Sequence, residues 1–198
     1  MNYKTIIQGI ALAGGVALTG VALSETPSAS MLANSCAGCH GTNGSSVGPA
    51  SPTIAGISVD YFIETMDEYK SGKRPSTIMG RIAKGYTEEE VKLMADFFAK
   101  QPFVRIAQEY DSKQAKKGAR LHKKYCEKCH EDGGRSSEDD AGILAGQWVP
   151  YIRYTMDDFT SGKREMTKKM KKKVKKMEEA VGKDGMEQLM HYYGSLDK

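Results

Sequence analysis

The sequence has few aromatic residues, little imbalance of charge and no run typical of a β-strand. Aromatic residues make up 8% of the 198 positions, and there is a single tryptophan. A core built from these side chains alone would be modest, so a large apolar cofactor would help small domains to stay folded. The formal net charge is only +4, which predicts no nucleic-acid partner. No glycine-rich turn follows a strand, so no dinucleotide site is predicted in this chain.

Only one long apolar stretch is present, and it lies at the N-terminus. Residues 6–23 are apolar or small, they follow Lys4, and they end in a small-x-small cleavage site at Ser24. This pattern predicts a signal peptide over residues 1–24, a mature chain that starts at Glu25, and export to the periplasm. A retained membrane anchor is the alternative. Because no second apolar run follows, we expect no membrane span in the mature form.

Cysteine is also scarce, and the four cysteines occur as two pairs within a repeated sequence. The pairs lie 90 residues apart, and the same offset relates the flanking residues without a gap, which indicates an internal duplication. The paired segments are Cys36-Ala37-Gly38-Cys39-His40 with Cys126-Glu127-Lys128-Cys129-His130, Ile54-Ala55-Gly56 with Leu144-Ala145-Gly146, Thr65-Met66-Asp67 with Thr155-Met156-Asp157, and Ser71-Gly72-Lys73-Arg74 with Ser161-Gly162-Lys163-Arg164.

The C-x-x-C-H spacing is typical of covalent haem attachment. Two thiols three positions apart on a helical turn can each add to a vinyl group of one haem, and the adjacent histidine can ligate the iron. We therefore predict two covalently bound haem c groups. A thioredoxin-like redox pair would require a βαβ context that is not predicted here, and zinc binding and a pair of disulfides are competing interpretations. The predicted attachment residues are Cys36, Cys39, Cys126 and Cys129, with His40 and His130 as axial ligands.

Methionine is the usual second axial ligand of such an iron. In the first half we predict Met79, which we place in a loop between two helices with Ile78 and Ile82 beside it. In the second half we predict Met170, which is 91 residues beyond Met79, with Met166 as the alternate. Ligation by two histidines, through His122 or His191, is also possible; both of these residues suit surface or packing positions.

The repeat predicts an all-α fold of two tandem class I cytochrome c-like domains. Each half has a short helix before the cysteine motif, a Gly/Ser/Pro-rich loop, an amphipathic helix, a methionine-bearing loop and a closing helix. The predicted longer helices are Val59–Ser71, Thr87–Lys100, Lys113–Tyr125, Val149–Ser161 and Lys183–Leu196. The predicted domains are 25–103 and 114–198, with a linker over 104–113.

Aromatic and basic residues near the predicted haems have two possible roles each. Tyr61, Tyr151 and Trp148 could contact haem edges or propionates, or they could be ordinary core aromatics. The arginines Arg74, Arg81 and Arg164 could pair with propionates or be solvated. The lysine-rich run over 163–176 could be a docking face for an acidic partner, or a solvated helix face.

The sequence resembles the diheme c-type cytochrome family that includes cytochrome c4. Within that family it is most similar to the branch formed by the cytochrome subunits of flavocytochrome c sulfide dehydrogenases, and the resemblance covers essentially the whole mature chain. The segments that carry it are Cys36–Gly41, Ser46–Pro52, Ser76–Tyr86, Lys124–His130 and Ile143–Trp148.

The resemblance implies a partner and a role. A separate FAD-bearing subunit of the heterodimer would oxidise sulfide, so catalysis and FAD would both lie on the partner. This chain would take electrons from the flavin and pass them to a soluble cytochrome c or a similar acceptor. It also implies His/Met ligation of both irons. The alternatives are a free cytochrome c4-type carrier that feeds a terminal oxidase, and a diheme enzyme that oxidises thiosulfate.

Overall fold

The structure, a computed structural model, describes residues 26–138 and 141–196. The predicted signal peptide over residues 1–24 lies outside the described residues. Within these two ranges, helices are the only regular secondary structure, and loops connect them. None of the helices in these ranges is long and apolar enough to cross a membrane.

The described helices follow a similar order in the two halves, although α2 lies within the first cysteine motif and α7 follows the second. The first half contains α1 (Ala29–Asn34), α2 (Ala37–His40), α3 (Val59–Ser71), α4 (Met79–Ile82) and α5 (Glu88–Ala99), and the second half contains α6 (Ser112–Leu121), α7 (Glu131–Gly134), α8 (Val149–Thr160), α9 (Lys168–Val181) and α10 (Asp184–Gly194). Short 3-10 turns span Thr42–Gly44 and Ala83–Gly85, and a π-turn spans His122–Cys126.

Local sequence signals set the ends of the first-half helices. The hydroxyl of Ser58 accepts a hydrogen bond from the Tyr61 amide at the start of α3, and Gly72 ends this helix in a left-handed conformation (φ 77°). Helix α5 begins with a capping box between Thr87 and Glu90. The predictions of these helices from the sequence are therefore confirmed to within one residue at each end.

The helix predicted over Lys113–Tyr125 differs at both ends. Asp111 caps α6 by accepting hydrogen bonds from two amides, so the helix begins at Ser112. It changes into the π-turn after Leu121, and the wider turn carries the chain into Cys126. Each half of the molecule has its own buried cluster of apolar side chains, although Ile143 of the second half packs into the first cluster.

Backbone hydrogen bonds confirm the duplication. The carbonyl of Gly44 accepts from Ile54 and Ala55 at 2.8 and 3.2 Å, and the carbonyl of Gly134 accepts from Leu144 and Ala145 at 2.9 Å each. Both glycines have a left-handed backbone, with φ of 82° and 88°, which a side chain would disfavour. The 90-residue offset is thus a structural repeat as well as a sequence repeat.

The two halves differ in length after the equivalent helices α3 and α8. The Gly56 amide donates to Phe98 O, and the Gly146 amide donates to Tyr193 O, so the offset has grown from 90 to 95 residues there. The five additional residues fall in the segment that forms the four-residue helix α4 in the first half and the fourteen-residue helix α9 in the second. The sequence predicts a methionine-bearing loop here, but the segment is helical from Lys168, with Met170, Val174 and Met177 half-buried or buried.

Candidate haem sites

The two cysteine motifs adopt the same local geometry. The His40 amide donates to Cys36 O at 2.9 Å, and the His130 amide donates to Cys126 O at 3.0 Å. In both motifs the first cysteine is half-buried and the second is exposed, and all four thiols are free. This helical turn places two thiols and one imidazole together, which is the arrangement that covalent attachment of a haem requires.

Burial makes the first thiol of each pair a weak acid. Burial raises the pKa of Cys36, and it raises the pKa of Cys126 to about 11. A catalytic dithiol needs the opposite shift, since the thiolate is the reactive form. The thiol environments therefore argue against a thioredoxin-like redox pair. Among the described residues, no group of three or more His, Cys, Asp and Glu side chains could hold a metal ion, so the zinc interpretation has no ligand cluster there.

His40 is oriented by a carbonyl from the following loop. Its Nδ1 lies 2.8 Å from Pro52 O, and because a carbonyl can only accept, Nδ1 carries the proton. This leaves the Nε2 lone pair available to an iron. Burial lowers the pKa of His40, which keeps the ring neutral, as ligation requires. These features of His40 fit a haem ligand.

His130 is the equivalent of His40 in the repeat, but its Nδ1 does not complete the hydrogen bond to a carbonyl that His40 makes. Burial lowers the pKa of His130 to about 4, with a further contribution from nearby His122, and the Gly142 carbonyl acts in the opposite direction. Gly142 lies 90 residues beyond Pro52, so the repeat supplies the equivalent carbonyl. Within the described residues, the buried Nδ1 of His130 nevertheless completes no hydrogen bond. The neutral ring also fits a haem ligand.

Met79 begins a short helix and does not lie in the loop that we predicted. It is the first residue of α4, which the Ser76 hydroxyl supports by accepting from the Gly80 amide at 2.7 Å. Met79 packs partly against the first cluster. Its neighbours Ile78 and Ile82 are 51% and 40% exposed, so this segment presents apolar surface beside Met79. This surface suits contact with an apolar macrocycle.

Met170 lies in the first turn of α9, and Met166 remains in the preceding loop. The Thr167 hydroxyl caps α9 by accepting from the Met170 amide at 3.2 Å. Both methionines are half-buried. Helix α9 packs against the π-turn that contains Cys126, so the helix that carries Met170 lies beside the second cysteine motif. Met177, seven residues further along α9, is fully buried in the second cluster.

The two histidines outside the motifs are engaged in other contacts. His122 is 1% exposed, its Nδ1 lies 2.9 Å from the Tyr193 hydroxyl, and its Nε2 lies 2.7 Å from a carboxylate oxygen of Glu127. His191 is half-buried, and its Nδ1 accepts from the Asp111 amide at 3.1 Å. Because Tyr193 and Glu127 both lie close to the His122 ring, the structure favours the packing role that the sequence suggested over ligation by two histidines.

Sequence reasoning missed the polar network around His122. The Tyr193 hydroxyl lies 2.9 Å from His122 Nδ1 and also interacts with the Cys126 thiol, and burial raises the pKa of Tyr193 well above the usual range. The repeat carries the signal that could have found it. His122 lies 90 residues beyond Leu32, so a buried apolar position of the first half is polar in the second.

Two side chains at the start of α8 connect the halves. Gln147 is 4% exposed, accepts from the Thr53 amide at 2.9 Å and donates to Thr53 O at 2.9 Å. Trp148 donates from its indole nitrogen to Ser46 O at 3.1 Å. Both acceptors lie in the loop after the first cysteine motif, so the second half contacts the first close to its haem site.

A second set of contacts between the halves involves two of the predicted arginines. Arg74 is 5% exposed and donates to the Tyr151 hydroxyl at 2.7 Å. Arg164, its partner in the repeat, donates to Glu68 at 3.0 Å. Neither is solvated, whereas Arg81 is exposed and donates to a carbonyl of its own loop. Tyr151, the buried Arg74 and the half-buried Arg164 therefore lie at the junction of the two halves.

Comparisons with known proteins identify the class. The family model described as cytochrome c matches residues 27–101. The chain is 43% identical over 90 residues to the cytochrome subunit of sulfide dehydrogenase from Chlorobaculum tepidum, over 46% of this chain and 81% of that protein. It is 27% identical over 177 residues to cytochrome c4 from Azotobacter vinelandii, over 80% of this chain and 79% of that protein.

The fold agrees with the sequence comparisons. Reduced recombinant cytochrome c4 from Pseudomonas stutzeri superposes with a TM-score of 0.70 and 21% identity, over 86% of this chain and all of the other. The chain belongs to the cytochrome c family. Its helical fold is that of the class I cytochromes c, its relatives include the diheme cytochromes c4, and its cofactor is covalently bound haem c.

Proposed function

We propose that this chain is the diheme electron-transfer subunit of a sulfide-oxidising flavocytochrome c, exported to the periplasm. The observation that carries this proposal is its 43% identity to the cytochrome subunit of a sulfide dehydrogenase over 81% of that protein. In this assignment a FAD-containing partner subunit oxidises sulfide, and this chain passes the electrons to a soluble acceptor. The chain itself is then an electron carrier, and the partner is the catalyst.

Each half would hold one haem through its own residues. We assign Cys36 and Cys39 as the first attachment pair and Cys126 and Cys129 as the second. His40 with Met79, and His130 with Met170 or Met166, are the assigned axial ligands. When bound, the haem supplies an iron that gains and loses a single electron.

The side chains of this protein tune and protect that chemistry. The Pro52 carbonyl fixes the His40 tautomer, and a methionine thioether favours reduced iron and raises the potential. A methionine that binds the iron would also exclude sulfide and water from it. The contacts of Gln147 and Trp148 with the first half keep the two sites at a fixed separation. These features suit a carrier with two closed sites.

A free carrier of the cytochrome c4 type is the second candidate. The similarity to cytochrome c4 extends over 80% of this chain, which is more of the chain than the sulfide dehydrogenase subunit covers. A free carrier would be a stable monomer without a flavoprotein. A third class, a diheme enzyme that oxidises thiosulfate, would need one open iron site, and prompt binding of cyanide or carbon monoxide would reveal it.

Purification of the untagged native protein from periplasm separates the first two candidates. We expect an equimolar complex with a flavoprotein, in which added sulfide reduces both haems. The isolated haem-loaded chain is the control and should remain oxidised in sulfide on the same timescale. A flavin-free monomer that never co-purifies with a flavoprotein would overturn the subunit proposal and favour the free carrier.

A further inference from the structure

Helix α9 carries an exposed surface of one charge. Seven of the nine residues from 168 to 176 are lysine, and all seven are exposed. The apolar residues between and after them, Met170, Val174 and Met177, are half-buried or buried. We call the exposed lysines the basic face, which consists of Lys168, Lys169, Lys171, Lys172, Lys173, Lys175 and Lys176.

The charges of the basic face oppose the stability of its own helix. The first turn of α9 contains no acidic residue, although positive charge near a helix N-terminus is unfavourable by about 0.3–1 kcal/mol. Lysines three and four positions apart also repel, by about 0.2–0.5 kcal/mol for each pair. Within the described residues, Lys175 with Glu179, at 3.7 Å, is the one intrahelical ion pair of α9. Folding alone therefore does not require these lysines.

The basic face lies beside the second haem site. Helix α9 packs against the π-turn that ends at Cys126. Burial dominates the pKa of the Cys126 thiol, but the charge of Lys173 is close enough to act against it. Positive charge on α9 therefore lies close to the second cysteine motif.

The first half has no equivalent of this surface. The corresponding helix α4 has four residues and one basic side chain. Residues 25–103 contain seven basic and nine acidic side chains, whereas residues 114–198 contain nineteen and fourteen. Since the two halves derive from one duplicated sequence, the positive charge is a specific addition to the second half.

We propose that the basic face of α9 is the docking surface for an acidic one-electron acceptor protein, so that electrons leave through the second half. This inference rests on the electron-transfer part of the proposed function and is independent of sulfide. A protein partner fits better than a membrane surface, because the apolar side of α9 is already packed against the protein. A helix that binds in a lipid interface needs an exposed apolar face.

The test measures electron transfer to plastocyanin, an acidic one-electron protein, as a probe. The native haem-loaded protein is reduced with dithionite, and its oxidation by plastocyanin is followed by stopped flow at increasing ionic strength. The test variant carries Lys169→Gln, Lys172→Gln and Lys173→Gln. The matched control carries Lys113→Gln, Lys116→Gln and Lys117→Gln, which remove the same charge from exposed positions of α6.

We expect the test variant to lose roughly tenfold in rate at low salt, within the range of electrostatic steering, and to lose most of its salt dependence. The control variant should stay within about twofold of the original, because its lysines lie on another helix. Equal slowing of both variants would show that only net charge matters and would overturn the proposal. So would an unchanged rate in the test variant.

Two further measurements keep these outcomes interpretable. Glutamine is a good helix former, so the test variant should unfold at the same temperature as the original or above it, which excludes a folding defect. Vesicles of phosphatidylglycerol test the lipid alternative by co-sedimentation. Binding that the test variant loses, together with an unchanged plastocyanin rate, would replace the protein partner with a lipid surface. Neither measurement uses sulfide or flavin, so a negative result would not bear on the proposed complex with a flavoprotein.

Discussion

The two halves of the molecule share a backbone but differ in what they bury beside the cysteine motif. In the first half the pair is Leu32 and Phe98, which are 6% and 1% exposed. In the second half His122 and Tyr193 occupy the equivalent positions and hydrogen-bond to each other at 2.9 Å. The backbone bonds of Gly56 and Gly146 establish the equivalence of Phe98 and Tyr193.

This difference shows which properties the duplication left constant and which it allowed to change. The helical turn of the C-x-x-C-H motif and the carbonyl at Pro52 or Gly142 recur in both halves. The surroundings of the motif have diverged, to apolar packing in one half and to a polar network with a basic helix in the other. We therefore expect the two haem sites to respond differently to substitution, pH and salt.

The largest expected effect is on the first iron. Met79→Ala should lower the potential of one haem by a sizeable part of the roughly 0.8 V that axial-ligand identity spans, because the soft thioether favours reduced iron. Potentiometric titration measures this change, and the methionine-to-iron charge-transfer band should weaken. The control Met94→Leu, at a fully buried position of the first core, should leave the potential nearly unchanged. An unaltered spectrum in Met79→Ala would eliminate Met79 as the ligand.

The same titration compares the two candidate methionines of the second half. Met170→Ala should lower the potential of the other haem, and Met166→Ala should leave it near its original value. Each variant serves as the control for the other, because both side chains are half-buried in the same segment. The reverse result would assign Met166.

A steric change should destabilise only the second half. A Cβ at Gly118 would lie 2.0 Å from Gln188 O, across the contact of α6 with α10. Backbone cannot easily move aside, so Gly118→Ala should lower the free energy of unfolding by at least the upper end of the roughly 1–3 kcal/mol typical of overpacking. Chemical denaturation measures it. The control Gly85→Ala has no atom within 4 Å of its new Cβ, and similar losses in both variants would contradict this account.

Replacing Gln147 by isoleucine, the equivalent residue of the first half, should weaken the contact between the two halves. Gln147 stands 90 residues beyond Ile57, which is buried in the first cluster. Gln147→Ile would leave the buried Thr53 amide and carbonyl unpaired, at a cost of about 1–3 kcal/mol for each group. Calorimetry should show the two halves unfolding more independently. Gln101→Ala, which alters a bond inside the first half, is the control and should preserve a single transition.

The smallest expected effect is the pH dependence that His122 adds to the second half. Burial lowers the pKa of His122 below its usual value of about 6.5. The unfolded chain therefore binds this proton more readily, and stability should fall as the pH drops below about 6.5. The double variant His122→Leu with Tyr193→Phe recreates the first-half pair and should have a shallower slope in denaturation experiments from pH 7 to pH 5, because it removes the contribution of His122 alone. An unchanged slope in the double variant would assign the titration to other groups, such as His40 and His130, whose pKa values burial also lowers.

Much of this organisation follows from local sequence signals. Cap residues such as Ser58 and Thr87 and the left-handed Gly72 set the helix ends, and they act over a few neighbouring residues. The 90-residue repeat then transfers each element of one half to the other. Both depend on short-range patterns, which the amino-acid sequence displays directly.

The remaining features depend on contacts between distant residues. The bond of Gln147 with Thr53 spans 94 positions, and no local pattern predicts such a pair. The loop predicted up to Met170 is in part the first turn of α9, because packing of Met170, Val174 and Met177 stabilises the helix although its lysines oppose the helix dipole. The exposure of Ile78 and Ile82 beside Met79 likewise depends on where α4 packs in the tertiary structure.

Peptide mapping of the native protein tests the central claim, that each half carries its own covalent haem. Proteolysis followed by mass spectrometry should yield two haem-bearing peptides, one with Cys36 and Cys39 and the other with Cys126 and Cys129, and a pyridine haemochrome assay should give two haems per chain. A single haem-bearing peptide, or disulfides within either cysteine pair, would contradict the account.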